Sequence, residues 1–235
     1  MEEAFPKSQL YIVSVPIGNI SDISIRAKSC LEIVDIIACE DTRITGKLLS
    51  RLNINKNAIY YSYREENEKH ITKELISKIN SGKSVALVSD AGTPTISDPG
   101  FRLVSACRKC NVPITALPGP CALINALSIS GLPTDAFLFI GFLPNKKSAR
   151  KKIFNLNKSI PYTLIMYESC HRIEKCLEDI LEVYGPTRII SVCREMTKLN
   201  ETIFTGSTEH VIKSVKSRSK KGEFVILIAK ESFNL

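Results

Sequence analysis

The sequence lacks any apolar run long enough to cross a bilayer; its longest, Ala136 to Leu143, is broken by Gly141. Its first residues, Met-Glu-Glu-Ala-Phe-Pro, have neither the basic nor the apolar region of a signal peptide, so a cytoplasmic protein is expected. No G-x-G-x-x-G follows an apolar strand pattern, which weighs against a standard dinucleotide fold. The absence of G-x-x-x-x-G-K-[ST] argues against a P-loop NTPase, and the absence of G-x-S-x-G against an α/β-hydrolase. Histidine is scarce: there are 3, none close to the single C-x-x-C pair, Cys107 and Cys110. Metal-ligand spacing is therefore missing, and the 8 scattered cysteines are expected as reduced thiols, mostly in apolar segments. Low-complexity segments and strong internal repeats are also lacking.

What is present suits one large or two small globular domains: 235 residues, 44% of them hydrophobic. The net charge is +8, with basic residues gathered at Lys146, Lys147, Arg150, Lys151 and Lys152, and again at Lys216, Arg218, Lys220 and Lys221. Such runs are often solvated faces. Two of them on a basic chain favour a phosphate-rich partner, RNA first. Neither is interleaved with aromatics, so no stacking platform is indicated.

The most informative stretch is Ser89-Asp90-Ala91-Gly92-Thr93-Pro94-Thr95-Ile96-Ser97-Asp98-Pro99-Gly100. All but Ala91 and Ile96 are turn-forming or short polar residues. An apolar run, Ser84 to Val88, precedes it and a helical pattern from Phe101 follows. Ordinary turns of this kind take about two to six residues. A loop this long at a strand's carboxyl end reads as a ligand loop.

Similar punctuation recurs along the chain. Leu10–Val15 reads as a strand ending in the turn Pro16-Ile17-Gly18-Asn19, with Asp22 as the N-cap of the next helix. Ile36–Cys39 runs into Glu40-Asp41-Thr42-Arg43, which is either a helix cap with a solvated arginine or a substrate-facing group. Val112–Leu117 ends at Pro118-Gly119-Pro120. The order up to there, β-α-β-α-β-α-β-α-β, predicts a doubly wound, mostly parallel sheet. The fold class is α/β with two α/β domains, residues 1–118 and 119–235, and the strand-end loops are expected to make a cleft with the second domain. That domain has more antiparallel potential, with strands near 137–143, 162–168, 187–194, 202–205 and 223–230. Helices are expected near 146–156, 172–183 and 207–217.

These segments, with Gly131-Leu132-Pro133, Gly141-Phe142-Leu143-Pro144, Tyr167-Glu168-Ser169 and Arg194-Glu195 with Thr197-Lys198, occur in an order that resembles the ribosomal RNA small subunit methyltransferase I family. That family has the tetrapyrrole-methylase fold of the class III S-adenosylmethionine enzymes. The resemblance runs from about Leu10 to Ala229. It implies a homodimer with S-adenosylmethionine between two domains, and 2′-O-methylation of one cytidine of 16S ribosomal RNA near the decoding centre. It places cofactor contacts at Pro16, Gly18, Asp90, Ala91, Gly92, Thr93, Pro94, Ile96, Ser97, Asp98, Pro118, Gly119, Pro120, Ala122, Tyr167 and Glu168. The chain departs from the family pattern at Arg64, Glu65 and Glu66, where histidines are frequent, and at Asn200, where an aromatic is frequent.

A sulfonium methyl is already activated, so catalysis is mainly alignment, and rigid small-residue loops serve it. The ribose hydroxyl must lose a proton. A carboxylate or a lysine of depressed pKa could take it, which makes Glu40, Asp41, Glu195 and Lys198 candidates, with Arg43 beside them. Each could equally sit in an ion pair with Arg43 or Arg194. The basic run at Lys146, Lys147, Arg150, Lys151 and Lys152 would bind RNA phosphates. The alternatives are a methylase of corrin or porphyrin precursors, whose polycarboxylate substrate the acids of Glu40-Asp41 would repel, and a non-catalytic RNA-binding assembly factor.

Overall fold

A computed structural model describes residues 5–55 and 58–235; of the N-terminal stretch read above, Met1 to Ala4 lie outside the described residues. The chain divides into two compact units, Met1–Cys121 and Ala122–Leu235.

In the first unit the strands are β1 (Leu10–Val13), β2 (Ile36–Cys39), β3 (Ile59–Ser62), β4 (Val85–Val88) and β5 (Ile114–Leu117). The helices are α1 (Ile25–Ile33), α2 (Thr42–Arg51), α3 (Glu68–Asn80) and α4 (Phe101–Lys109). The sheet is parallel throughout, in the order β3-β2-β4-β1-β5. Every residue of β1, β2 and β4 is buried, as expected of strands covered on both faces. Alternate side chains feed opposite cores. Tyr11, Val13, Ile37 and Ala86 pack with Ala27, Leu31 and Leu49 on one face, whereas Leu10, Ile12, Ile36 and Leu87 pack with Leu75, Ile79 and Leu103 on the other.

Two local expectations need correction. Asp22 does not cap α1. It sits in a short 3-10 turn, Ile20–Asp22, capped by Asn19, and Ser24 caps α1 by accepting from the Ala27 N–H at 3.1 Å. The first strand stops at Val13 rather than Val15; Val15 instead forms an antiparallel bridge with Gly92.

The root of β2 is fastened by Asp35. Its Oδ2 accepts from the Ser84 N–H at 2.9 Å, the Ser84 hydroxyl at 2.8 Å and Lys7 Nζ at 2.7 Å. Burial opposes ionisation of this carboxylate, but Lys7 and the Ser84 donors outweigh it and hold the pKa well below the usual carboxylate range.

The second unit contains α5 (Ala122–Ile129), β6 (Phe137–Phe142), α6 (Lys147–Leu156), β7 (Thr163–Ser169), α7 (Ile173–Tyr184), β8 (Ile189–Arg194), β9 (Thr202–Ser207), α8 (Thr208–Lys216) and β10 (Glu223–Ile228). Its sheet is mixed, in the order β6-β7-β10-β8-β9: β6 and β7 are parallel and the other neighbours antiparallel. Phe154 of α6, Ile173, Leu177 and Ile180 of α7, and Val211 and Val215 of α8 pack on Leu164, Met166, Val192 and Ile226 of the strands.

This packing corrects the expectation for Arg150. The side chain is not on a solvated basic face: the residue is only 4% exposed. Its guanidinium donates to buried Asp179 on α7 at 2.6 and 2.8 Å and to the Asn145 carbonyl at 2.6 Å. Lys147 and Lys151 on the same helix pair with Glu182, so much of this run's charge is answered within the unit. No helix of the described residues is long and apolar enough to cross a membrane.

Candidate functional site

The strand order of the first unit sets β1 between β4 and β5, so the segments that follow these three strands meet at one edge. There they are knit together. Val15 N–H donates to the Gly92 carbonyl at 2.9 Å and Gly92 N–H to the Val15 carbonyl at 3.1 Å. The hydroxyls of Ser14 and Thr93 lie 2.9 Å apart, and Thr93 donates to the Pro120 carbonyl at 2.9 Å. One threonine thus ties the turn after β1, the 89–100 loop and the Pro118-Gly119-Pro120 turn.

Glycine is required at two of these crossings. At Gly92, φ is +78° and an added Cβ would press on Ile17 Cγ2 at 3.3 Å. At Gly119 it would meet Ser14 Cβ at 2.7 Å. Gly92, Pro94 and Pro120 are buried anchors, while Gly18, Ala91, Ile96, Ser97, Pro118 and Gly119 are exposed, and Pro16, Thr93, Asp98 and Ala122 are half-buried. Thr95 and Ser97 hold φ of +75° and +63° without being glycine, a strain of about 1–3 kcal/mol each that surrounding contacts must support. The loop's far end is held by buried Glu68, which accepts from the Gly100 N–H at 2.8 Å and pairs with Arg102 at 3.1 Å.

The acidic segment after β2 lies against the same loop: the Asp41 N–H donates to Asp90 Oδ1 at 3.1 Å. Asp41 itself is the N-cap of α2, accepting from the Arg43 N–H at 2.8 Å and pairing with the Arg43 guanidinium at 2.6 Å. The hydrogen bonds from Arg43 hold its pKa far below the carboxylate range. The capping role therefore describes Asp41 and Arg43. Glu40 and Asp90 behave oppositely. Burial first, then the Asp90 charge, push the Glu40 pKa up; burial also raises that of Asp90, against the Asp41 N–H that lowers it and with the Asp41 charge adding to the rise. Arg64 donates to the Glu40 backbone carbonyl at 3.0 Å, so the departure from histidine in that loop supplies a guanidinium to the same corner.

In the second unit, Glu195 accepts from Lys198 at 2.9 Å and from the Glu223 N–H at 3.1 Å, and Lys198 also reaches Glu223 at 2.8 Å. Burial disfavours both charges, yet the pairing prevails: the Glu195 pKa is lowered and that of Lys198 raised. The two charges are thus answered within the unit. Glu168 is likewise turned inward. Its Oε1 is held by Arg172 and the Ser169 N–H, and its Oε2 is buried without a hydrogen-bond partner among the described residues. It pins the end of β7. Tyr167 packs between Phe139 and Phe142 and accepts from the Leu123 N–H at 3.2 Å, at the start of α5.

The sequence reading missed Ser14, Arg64 as an active member of the corner, and Glu68. Ser14 follows an apolar strand at the carboxyl edge, which was a usable signal. Glu68 gave none, because its partner lies 32 residues away in sequence.

Residues 9–212 match the family model "Tetrapyrrole (Corrin/Porphyrin) Methylases", which defines the class. Solved structures agree on the fold. A cobalt precorrin-4 methyltransferase superposes with a TM-score of 0.68 at 13% identity, over 97% of this chain and 98% of that one. A uroporphyrin-III C-methyltransferase from Thermus thermophilus, complexed with S-adenosyl homocysteine, gives 0.60 at 16% identity, over 95% and 97%. Among curated relatives, "Ribosomal RNA small subunit methyltransferase I" of Vibrio cholerae is 49% identical over 93% of this chain and 76% of that protein. Its namesake in Hydrogenobaculum sp. is 45% identical over 95% and 96%. Within the tetrapyrrole methylase class, the chain belongs to the ribosomal RNA small subunit methyltransferase I family.

Proposed function

We propose that the protein is an S-adenosylmethionine-dependent methyltransferase of 16S ribosomal RNA, directed to the ribose 2′-hydroxyl of a cytidine near the decoding centre. The observation that carries this reading is the set of three strand-end turns tied through Thr93, next to the carboxyls of Glu40 and Asp90. The donor set fits the cofactor: neutral backbone and hydroxyl groups, small exposed residues, and acidic groups suited to a sulfonium cation. Gly92, Thr93, Pro94, Pro118 and Gly119 would hold it. The cofactor supplies an electrophilic methyl group.

The protein's own part is alignment and proton removal. Buried prolines and paired backbone groups fix the loops before binding, so little order must be created. Glu40 is the candidate acceptor of the hydroxyl proton, because its raised pKa makes the carboxylate a stronger base than an ordinary glutamate. Relatives bearing the methyltransferase name supply the substrate class, and the family resemblance extends the proposal to a cytoplasmic homodimer.

The decisive experiment uses S-adenosylmethionine labelled in its methyl group with unmodified small ribosomal subunits, followed by nucleoside analysis by mass. Label in 2′-O-methylcytidine is expected; cofactor bound but no label in RNA would sink the proposal. Gly92→Val is expected to lower cofactor affinity at least tenfold by calorimetry with the circular dichroism spectrum unchanged, since a β-branched residue at that φ cannot keep the loop's form.

A further inference from the structure

The second unit carries a cavity of about 540 Å³ that the proposed chemistry does not use. It opens between the loop 217–222 and the turn after β8. Arg194, Arg218 and Lys221 line it, together with Thr202 and Ser219, and Leu199 stands at its rim, 99% exposed.

The walls are built rather than incidental. Arg194 is buried and donates to the Lys221 carbonyl at 2.7 Å and the Asn200 carbonyl at 3.1 Å, fixing both sides of the opening. A guanidinium so held keeps further donors for a ligand. Gly222, at φ +118°, lets the loop close over Glu195; any Cβ there would collide with that side chain. The two acids of the lining are turned to partners of their own. Glu195 is held by Lys198 and Glu201 accepts from the Thr197 N–H at 2.5 Å. Among the described residues, Thr202 Oγ1 is buried without a hydrogen-bond partner. A fixed guanidinium and two exposed cations describe a receptor for an oxyanion.

We propose that this cavity receives a phosphodiester group of the RNA chain, with exposed Leu199 against the adjoining sugar or base. The proposal rests on the RNA-methyltransferase reading of the previous subsection. It separates this basic cluster from that of α6, whose cations are largely paired within the unit.

The test is binding of unmodified 16S ribosomal RNA to the full chain as a function of salt, with cofactor affinity measured alongside. Arg218→Gln/Lys221→Gln is expected to lower the log–log salt slope by about 1.5, the loss of two phosphate contacts. Ser219→Trp fills the cavity and leaves every charge in place. It is expected to weaken RNA roughly tenfold, as for a lost charge-assisted hydrogen bond, with cofactor affinity unchanged. RNA affinity unchanged in Ser219→Trp would overturn the proposal, since a merely basic surface would not notice the filling. Inorganic phosphate is titrated as a second probe. Phosphate binding that Ser219→Trp abolishes while RNA affinity stays constant would assign the cavity to a free anion and also overturn it. Wild-type protein that binds RNA through the cavity but transfers no methyl would count against the methyltransferase reading alone.

Discussion

Two basic runs of the second unit look alike as sequence and differ as structure. In α6, Arg150 is drawn into the core by Asp179, and Lys147 and Lys151 are matched by Glu182. At the end of α8 and in the loop after it, Arg218 and Lys221 face a cavity beside a rigid Arg194, while Lys216 and Lys220 pair with Glu178 and Glu174. Positive charge along a chain does not measure charge available to a partner. What decides it is whether acids from another element reach the run first. The carboxylates repeat the contrast: Asp41 and Glu195 are held charged by Arg43 and Lys198, whereas Glu40 and Asp90 are pushed towards the neutral form.

Breaking the internal pair of α6 should have the largest effect. Asp179→Ala strands the Arg150 charge in the core and is expected to destabilise the protein by about 3–5 kcal/mol, measured by urea unfolding. A loss under about 1 kcal/mol would mean that Arg150 finds solvent, and the two runs would be less different than they look. Next comes Glu40→Gln, expected to lower kcat about a hundredfold with cofactor affinity unchanged. Because the Glu40 pKa is raised and the base form is needed, wild-type kcat/KM should rise with pH through a value above the ordinary glutamate pKa of about 4.3. That limb should vanish in the variant; its persistence would move the role elsewhere.

Asp35→Ala should cost about 2 kcal/mol near neutral pH, through loss of the Ser84 and Lys7 bonds. The folded-state pKa of Asp35 lies below its unfolded value of about 3.9. The stabilisation is therefore complete above that value and is lost as pH falls towards the folded one. Unfolding midpoints of wild type and variant should converge on acidification. Smallest is Lys146→Gln/Lys152→Gln, both exposed, which should leave the melting temperature in place and lower the RNA salt slope by no more than about 0.7, one single-strand phosphate contact. An equal or larger slope change than for Arg218→Gln/Lys221→Gln would erase the distinction between the runs.

Much of this architecture was legible in the sequence. Ile36–Cys39 read as a strand and Ser84–Val88 as a buried parallel strand, which the structure matches within one residue, and the long loop after Val88 declared itself by length and composition. The start of α1 was misread because Asp22 and Ser24 are both good caps, and only the 3-10 turn stabilised by Asn19 decides between them. The strand order could not be read from local pattern, nor could Arg150's partner, 29 residues downstream on another helix. For the same reason the Glu40–Asp41–Arg43 segment stayed ambiguous: the cap is local, but the effect of Asp90 on Glu40 depends on β2 and β4 being neighbours.

The tie through Thr93 has a kinetic consequence. Because Ser14, Thr93 and the Pro120 carbonyl share one chain of contacts, the three turns should open as a single unit, and their amide protons should exchange with a common rate. A ligand arriving at any one turn would then meet all three already in place, and would slow exchange in every one of them at once.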